Sequence, residues 1–166
     1  MVLKADDDRS RATRPPLDPK ATFAVLGWVG LVFLMVGGMH FLLVWYPPAF
    51  ASREWQFAVV TRSFSSLPVP TMGLGFLVFA SVHAGRRWWA YLGGGAAAVM
   101  ALVAVVGVVL WGINIPLALG QVPDQVATGM YRSIARTAVQ AVAYPSLLIY
   151  LTVIGFRMGR SIDPDA

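Results

Sequence analysis

Residues 90–113 read AYLGGGAAAVMALVAVVGVVLWGI, a run of 24 positions with no charged side chain. Wound as an α-helix, such a run extends about 36 Å, against a bilayer hydrocarbon thickness of about 30 Å. It reads as a helix that crosses a membrane. The rest of the chain agrees: of 166 residues, 57% are hydrophobic and 13% charged, about half the charged share of an ordinary soluble domain. Three further apolar stretches accompany the first. The expected spans are about 22–46, 67–85, 89–113 and 134–156, and in lipid the backbone of each must satisfy its own hydrogen bonds as a helix. The fold class that follows is all-α: an integral membrane four-helix bundle. One domain occupies 21–160, between a disordered tail at 1–20 and a short tail at 161–166.

The boundaries have local causes. Pro47-Pro48 removes two amide donors and ends the first span, leaving Trp45 and Tyr46 at headgroup level. Ser65 or Ser66 caps the second span, with Pro68 and Pro70 in its first turn, where a missing amide costs little. The corner Arg86-Arg87 is so short that spans two and three must be antiparallel neighbours. The third span is expected to end at Trp111 to Asn114, before Pro116. Pro145 lies inside the fourth and predicts a kink, or a carbonyl near Ala141 without its usual partner. Two connections are long. Residues 47–66 mix Trp55, Phe57, Val59, Val60 and Phe64 with charges, which predicts a short helix lying along the membrane surface; paired extended segments over 57–61 are the alternative. Residues 115–133 are expected to be irregular, then helical from near Asp124.

Small residues mark where helices approach. Gly27, Gly30, Gly37 and Gly38 thin the first span, and Gly93, Ala97 and Ala101, with Gly94 and Ala98, recur at intervals of four in the third. Such faces serve internal packing or self-association equally well.

Charge sets the threading. The formal net charge is +5, and if the N-terminus is cytoplasmic that side holds Lys4, Arg9, Arg11, Arg14, Lys20, Arg86, Arg87, Arg157 and Arg160. The opposite side holds Arg53, Arg62, Arg132 and Arg136. Nine against four favours both termini inside and both long connections outside, since basic residues are retained on the cytoplasmic face. The same distribution accounts for the basicity without nucleic acid, for which the basic tail lacks interleaved aromatics. Eleven arginines against two lysines, with abundant Ala, Gly and Val, point to a bacterial cytoplasmic membrane by composition alone.

The chemistry available is narrow. There is no cysteine, which excludes disulfides and thiolate ligation. No span carries a carboxylate and no H-E-x-x-H spacing occurs, so neither a metal site nor a catalytic residue is predicted. Ser65 and Ser66 have no neighbouring base, and Gly93-Gly94-Gly95 follows no strand. His40 and His83 fall in opposite leaflets, offset by about 13 Å or more, so a haem held by both is disfavoured. No cofactor is predicted.

The polar residues that remain gather on the outer side: Glu54, Arg62, Asp124, Tyr131, Arg132 and Arg136, with His40, Asn114 and Gln140 just below and Trp55 as a cap. His40, Arg62, Arg136, Gln140, Trp55 and Glu54 form the candidate ligand-binding set, suited to a quinone or a lipid phosphate. The plainer alternative is that ion pairs fasten the loops, Arg136 snorkels to the interface and His40 fills the bundle as a neutral ring. The absence of buried acids favours a non-catalytic scaffold, assembly factor or accessory subunit, touching membrane lipid and other subunits or a second copy. A membrane-bound oxidoreductase or binding protein for a quinone-like or other lipophilic ligand is the alternative, and a small-solute transporter or channel the third.

Overall fold

The computed structural model describes residues 18–120 and 124–162. The expected tail up to residue 17 and the last four residues lie outside the described residues. Helix is the regular structure of the described residues: α1 (Pro19–Val44), α2 (Arg53–Ser66), α3 (Pro68–His83), α4 (Arg87–Leu119) and α5 (Asp124–Ser161), with no strand among them. Three helices are long and apolar enough to cross a membrane: α1, α4 and α5. The short helices α2 and α3 pass the same test only as a pair, bent by 41° at their junction.

That pair bears on two expectations. At 16 residues, α3 extends about 24 Å, less than the hydrocarbon thickness, and the stretch expected as the second span, 67–85, reaches spanning length only together with α2. The helix expected within 47–66 is present as α2, with one face packed into the bundle. Val59, Val60, Phe64 and Leu67 are buried in one cluster with Ala97, Ala101, Ala104 and Trp111 of α4. Their spacing puts them on one face, and the small side chains opposite leave room for that face to enter. The extended alternative over 57–61 is replaced by helix.

The bend has a covalent cause. Pro68 and Pro70 cannot donate to the carbonyls of Phe64 and Ser66, so the ladder is interrupted for a turn around Leu67; it resumes when Thr71 N donates to Leu67 O at 3.1 Å. The expected serine cap does not form, and α3 starts without a side-chain cap. Ser65 Oγ donates to Thr61 O and Ser66 Oγ to Ser63 O, because a serine hydroxyl competes well for the carbonyl one turn back.

Other boundaries also moved. The first helix begins at Pro19 rather than Thr22, because Asp18 caps it by accepting from Lys20 N at 3.0 Å, with proline at the first helical position. α3 closes on Gly85, whose φ of +66° suits only glycine comfortably, and Arg86 N donates back to Ser81 O in a Schellman arrangement. The candidate span in α4 is Arg87–Pro116, although the helix itself continues to Leu119, and α5 likewise continues through Pro145. Of the stretch expected to be irregular, residues 115–119 are helical and Gly120 is a turn, 121–123 lie outside the described residues, and the helix expected from near Asp124 starts there.

Packing is built on near-contact of backbones. A Cβ added at Gly30 would stand 2.8 Å from the Gly73 carbonyl oxygen, and one at Gly155 would stand 2.8 Å from Gly94 Cα. The first pair joins α1 to α3, the second α4 to α5. Trp89, almost wholly buried, fills the base of the α1–α3 seam with Leu77 and Ala80. At the opposite end Asn114 Nδ2 donates to Gln56 Oε1 at 3.2 Å, and Gln56 Nε2 donates to Phe50 O at 2.6 Å. This relay ties the 45–52 loop, α2 and α4 together with hydrogen bonds of the kind that serve as glue between apolar helices.

Candidate functional site

The site follows from the bend. α1 packs closely along α3, where glycine and proline let the two backbones meet, whereas α2 leaves the α3 axis by 41°. A wedge opens between the last turns of α1 and the middle of α2. It is a groove of about 380 Å³ lined by His40, Val44, Thr61, Arg62, Ser65 and Ser66. His40 and Val44 are one turn apart on α1, and the other four residues sit at the i, i+1, i+4 and i+5 positions of one α2 face. His40, Arg62 and Ser65 are exposed at its mouth.

No carboxylate occurs in this lining. The hydroxyl protons are turned inward: Thr61 Oγ1 donates to Phe57 O at 3.0 Å and Ser65 Oγ to Thr61 O at 3.2 Å. Their oxygens retain acceptor capacity, while Arg62 offers five fixed N–H donors and the His40 ring at least one. The groove therefore presents a cation and a ring donor beside hydroxyl acceptors. That arrangement can bind a polar or anionic group, with the hydroxyl protons committed to backbone carbonyls.

Of the six residues singled out by sequence, the structure brings His40 and Arg62 together. Trp55 lies about two turns from Arg62 on the same helix, packed edge-on against Trp45 and Phe50 with ring centroids 6.0 and 5.2 Å apart. It stands at the end of the groove without lining it. Glu54 is exposed in the first turn of α2. Arg136 and Gln140 are one turn apart on α5, exposed and half-buried respectively, and α5 packs mainly on α4; neither contributes to the groove lining. Tyr131 and Arg132 are exposed on the same helix. The Asp124 side chain lies outside the described residues. Sequence reasoning missed Thr61, Ser65 and Ser66, although Thr61-Arg62 and Ser65-Ser66 repeat at an interval of four. Placing 47–66 on a surface hid that helical register.

His83 occupies a different setting. It lies between the Phe23 and Phe79 rings, with centroids 4.4 and 4.5 Å away, and its Nδ1 is 3.1 Å from Phe79 O. It links the start of α1 to the end of α3, at the opposite end of α1 from His40. Beside the groove, a small void lies among Trp45, Val60, Ser63, Phe64, Ala104 and Gly107. No group of three or more His, Cys, Asp or Glu side chains that could hold a metal ion occurs among the described residues. Comparison with protein-family models, with curated proteins and with solved structures finds no match to this chain.

Proposed function

We propose that the protein is a small four-span membrane protein, with both termini cytoplasmic, that holds a lipophilic ligand with an oxygen-bearing head in the groove between α1 and α2. The observation that carries this is the convergence of His40 and Arg62 from separate helices on one lateral opening. Basic residues are unevenly distributed about the spans, nine on the side of the termini against Arg53, Arg132 and Arg136 on the other once Arg62 is taken as lying within a span, which supports placing that opening in the outer leaflet. An arginine within a span ordinarily faces a partner or a functional cavity, because an unpaired cation in hydrocarbon is costly. The role is binding rather than catalysis.

A second reading, as a scaffold, assembly factor or accessory subunit, draws on the interior. Among the described residues the buried polar side chains are Ser63, Ser66, Thr71, Ser81, Asn114 and Thr137, all uncharged, while large apolar side chains such as Met35, Leu42, Val139 and Val142 are exposed and available to a partner or to lipid. One experiment separates the two. The full chain is purified in mild detergent, and its copurifying small molecules and proteins are identified by mass spectrometry, beside His40→Ala and Arg62→Ala. Ligand binding is supported by a stoichiometric amphiphile lost in both variants. A stoichiometric protein partner retained by both variants, with no such amphiphile, supports the second reading and overturns the first.

A further inference from the structure

We infer that the head of the ligand is a phosphate: the groove takes an anionic glycerophospholipid, with the phosphate on Arg62 and an ester carbonyl near His40. This rests on the proposal that the groove binds a lipophilic ligand, and it excludes a neutral quinone as the preferred occupant.

Depth is the first consideration. α2 runs antiparallel to α4, with Gln56 bonded to Asn114 and Phe57 stacked on Trp111. Val60 faces Gly107. Arg62 therefore lies near the level of Ala104 to Gly107, roughly 8 Å further into the bundle than Trp111. On α1, His40 is five residues before Trp45, again about 8 Å deeper. Trp45, Trp55 and Trp111 lie at the same end as the exposed Tyr46 and Phe50, aromatic residues of the kind that gather at headgroup level. An arginine stem is long enough to return its guanidinium toward that level, whereas an imidazole stays near its own backbone. The two donors are thus staggered along the membrane normal, guanidinium shallow and ring deeper. In a glycerophospholipid the phosphate and the ester carbonyls are staggered in the same order.

Charge is the second consideration. The groove lining contains a guanidinium and no carboxylate, so a neutral occupant would leave the cation uncompensated, while a phosphate accepts two parallel N–H bonds from it. The hydroxyl oxygens of Thr61 and Ser65, whose protons are already committed, can accept from a headgroup hydroxyl. Shape is the third. From Arg62 and Ser65 the exposed face continues at helical spacing through Val69 and Met72, which are 44% and 54% exposed. A polar head site with an apolar track leading inward matches one amphiphile, and inorganic phosphate would use only its upper half.

The test places the full chain in nanodiscs of phosphatidylcholine alone, or with a minor fraction of phosphatidylglycerol or of a long-chain quinone. Bound molecules are counted by native mass spectrometry after release, and inorganic phosphate is added as a competitor. The expected result is retention of phosphatidylglycerol over phosphatidylcholine, reduced about tenfold in Arg62→Ala, as loss of a charge-assisted pair implies, and largely kept in Arg62→Lys. Arg132→Ala, on α5, serves as a control that leaves retention unchanged. Preferential retention of quinone, lost in Arg62→Ala, would overturn the phosphate inference while leaving the groove as a ligand site. Retention of neither molecule would overturn both. Displacement of phosphatidylglycerol by millimolar inorganic phosphate would show that the head alone is recognised and overturn the assignment to a lipid.

Discussion

Gly37 and Gly38 are adjacent on α1, and alanine at the two positions should act in opposite directions. A Cβ at Gly37 would stand 2.5 Å from Pro70 Cδ and 2.7 Å from Pro70 N. Neither atom can swing aside, because the ring is closed onto the α3 backbone. At Gly38 a Cβ meets nothing within 4 Å. Gly38→Ala therefore gains up to about 1 kcal/mol of helix propensity with no steric cost. Gly37→Ala gains the same propensity but must separate α1 from α3, an overpacking cost of about 1–3 kcal/mol. Propensity cancels between the variants, leaving a difference of about 1–3 kcal/mol in favour of Gly38→Ala. Loss of helical circular dichroism on titration with dodecyl sulfate, in one fixed detergent background, reads that difference. A Gly37→Ala protein as stable as Gly38→Ala would refute the close approach of α1 to the start of α3, and with it the wedge that opens the groove.

Three other outcomes are expected. Leu148, fully buried among α4 and α5 side chains, should cost about 2–5 kcal/mol when changed to alanine, in the same titration; a change within experimental error would place α5 in a different rotation. A double-mutant cycle on Gln56→Ala and Asn114→Ala should return a coupling of about 0.6 kcal/mol, the usual size for an interhelical hydrogen bond in a membrane protein, and zero coupling would dissolve the relay to Phe50. Gly107→Ala should stabilise by up to about 1 kcal/mol, since its Cβ would make an ordinary 3.7 Å contact with Val60 beside the small void; destabilisation would show that α2 packs more tightly there.

The helical class and the long apolar helices were legible because an uninterrupted apolar run of spanning length has one stable solution in lipid. The break at Leu67 is visible too, in Pro68 and Pro70, and both do stand in the first turn of α3. Either side of a proline pair can hold membrane depth, and what decides is the partner. Ala97, Ala101 and Ala104 make α4 narrow enough to accept Val60 and Phe64, a complementarity between segments some 40 residues apart that one-dimensional periodicity does not express. The glycine patterns mark packing faces without naming what they pack. Gly30 meets Gly73 and Gly94 meets Gly155 inside the molecule, while Gly38 meets nothing within 4 Å. At the candidate site, His40 and Arg62 stand out in the sequence as polar residues near a common level. Arg136 and Gln140 share that level, but level alone does not say on which side of the molecule a helix carries them.

The placement of α2 against the α4 half that carries Trp111 underlies both the groove and the depth of Arg62. The absence of cysteine from the chain makes a direct measurement simple. Val60→Cys and Gly107→Cys are combined in one protein and oxidised in membranes, with Val60→Cys and Gly112→Cys as the comparison. A Cβ at Gly107 stands 3.7 Å from Val60 Cγ1, near where a cysteine sulfur at position 60 would sit, whereas one at Gly112 meets nothing within 4 Å, and a disulfide needs the two side chains to approach this closely. The expected result is near-complete protection of the 60–107 pair from maleimide after oxidation, with the 60–112 pair remaining reactive. Equal reactivity of the two pairs would mean that α2 does not enter the bundle, and the groove would not exist.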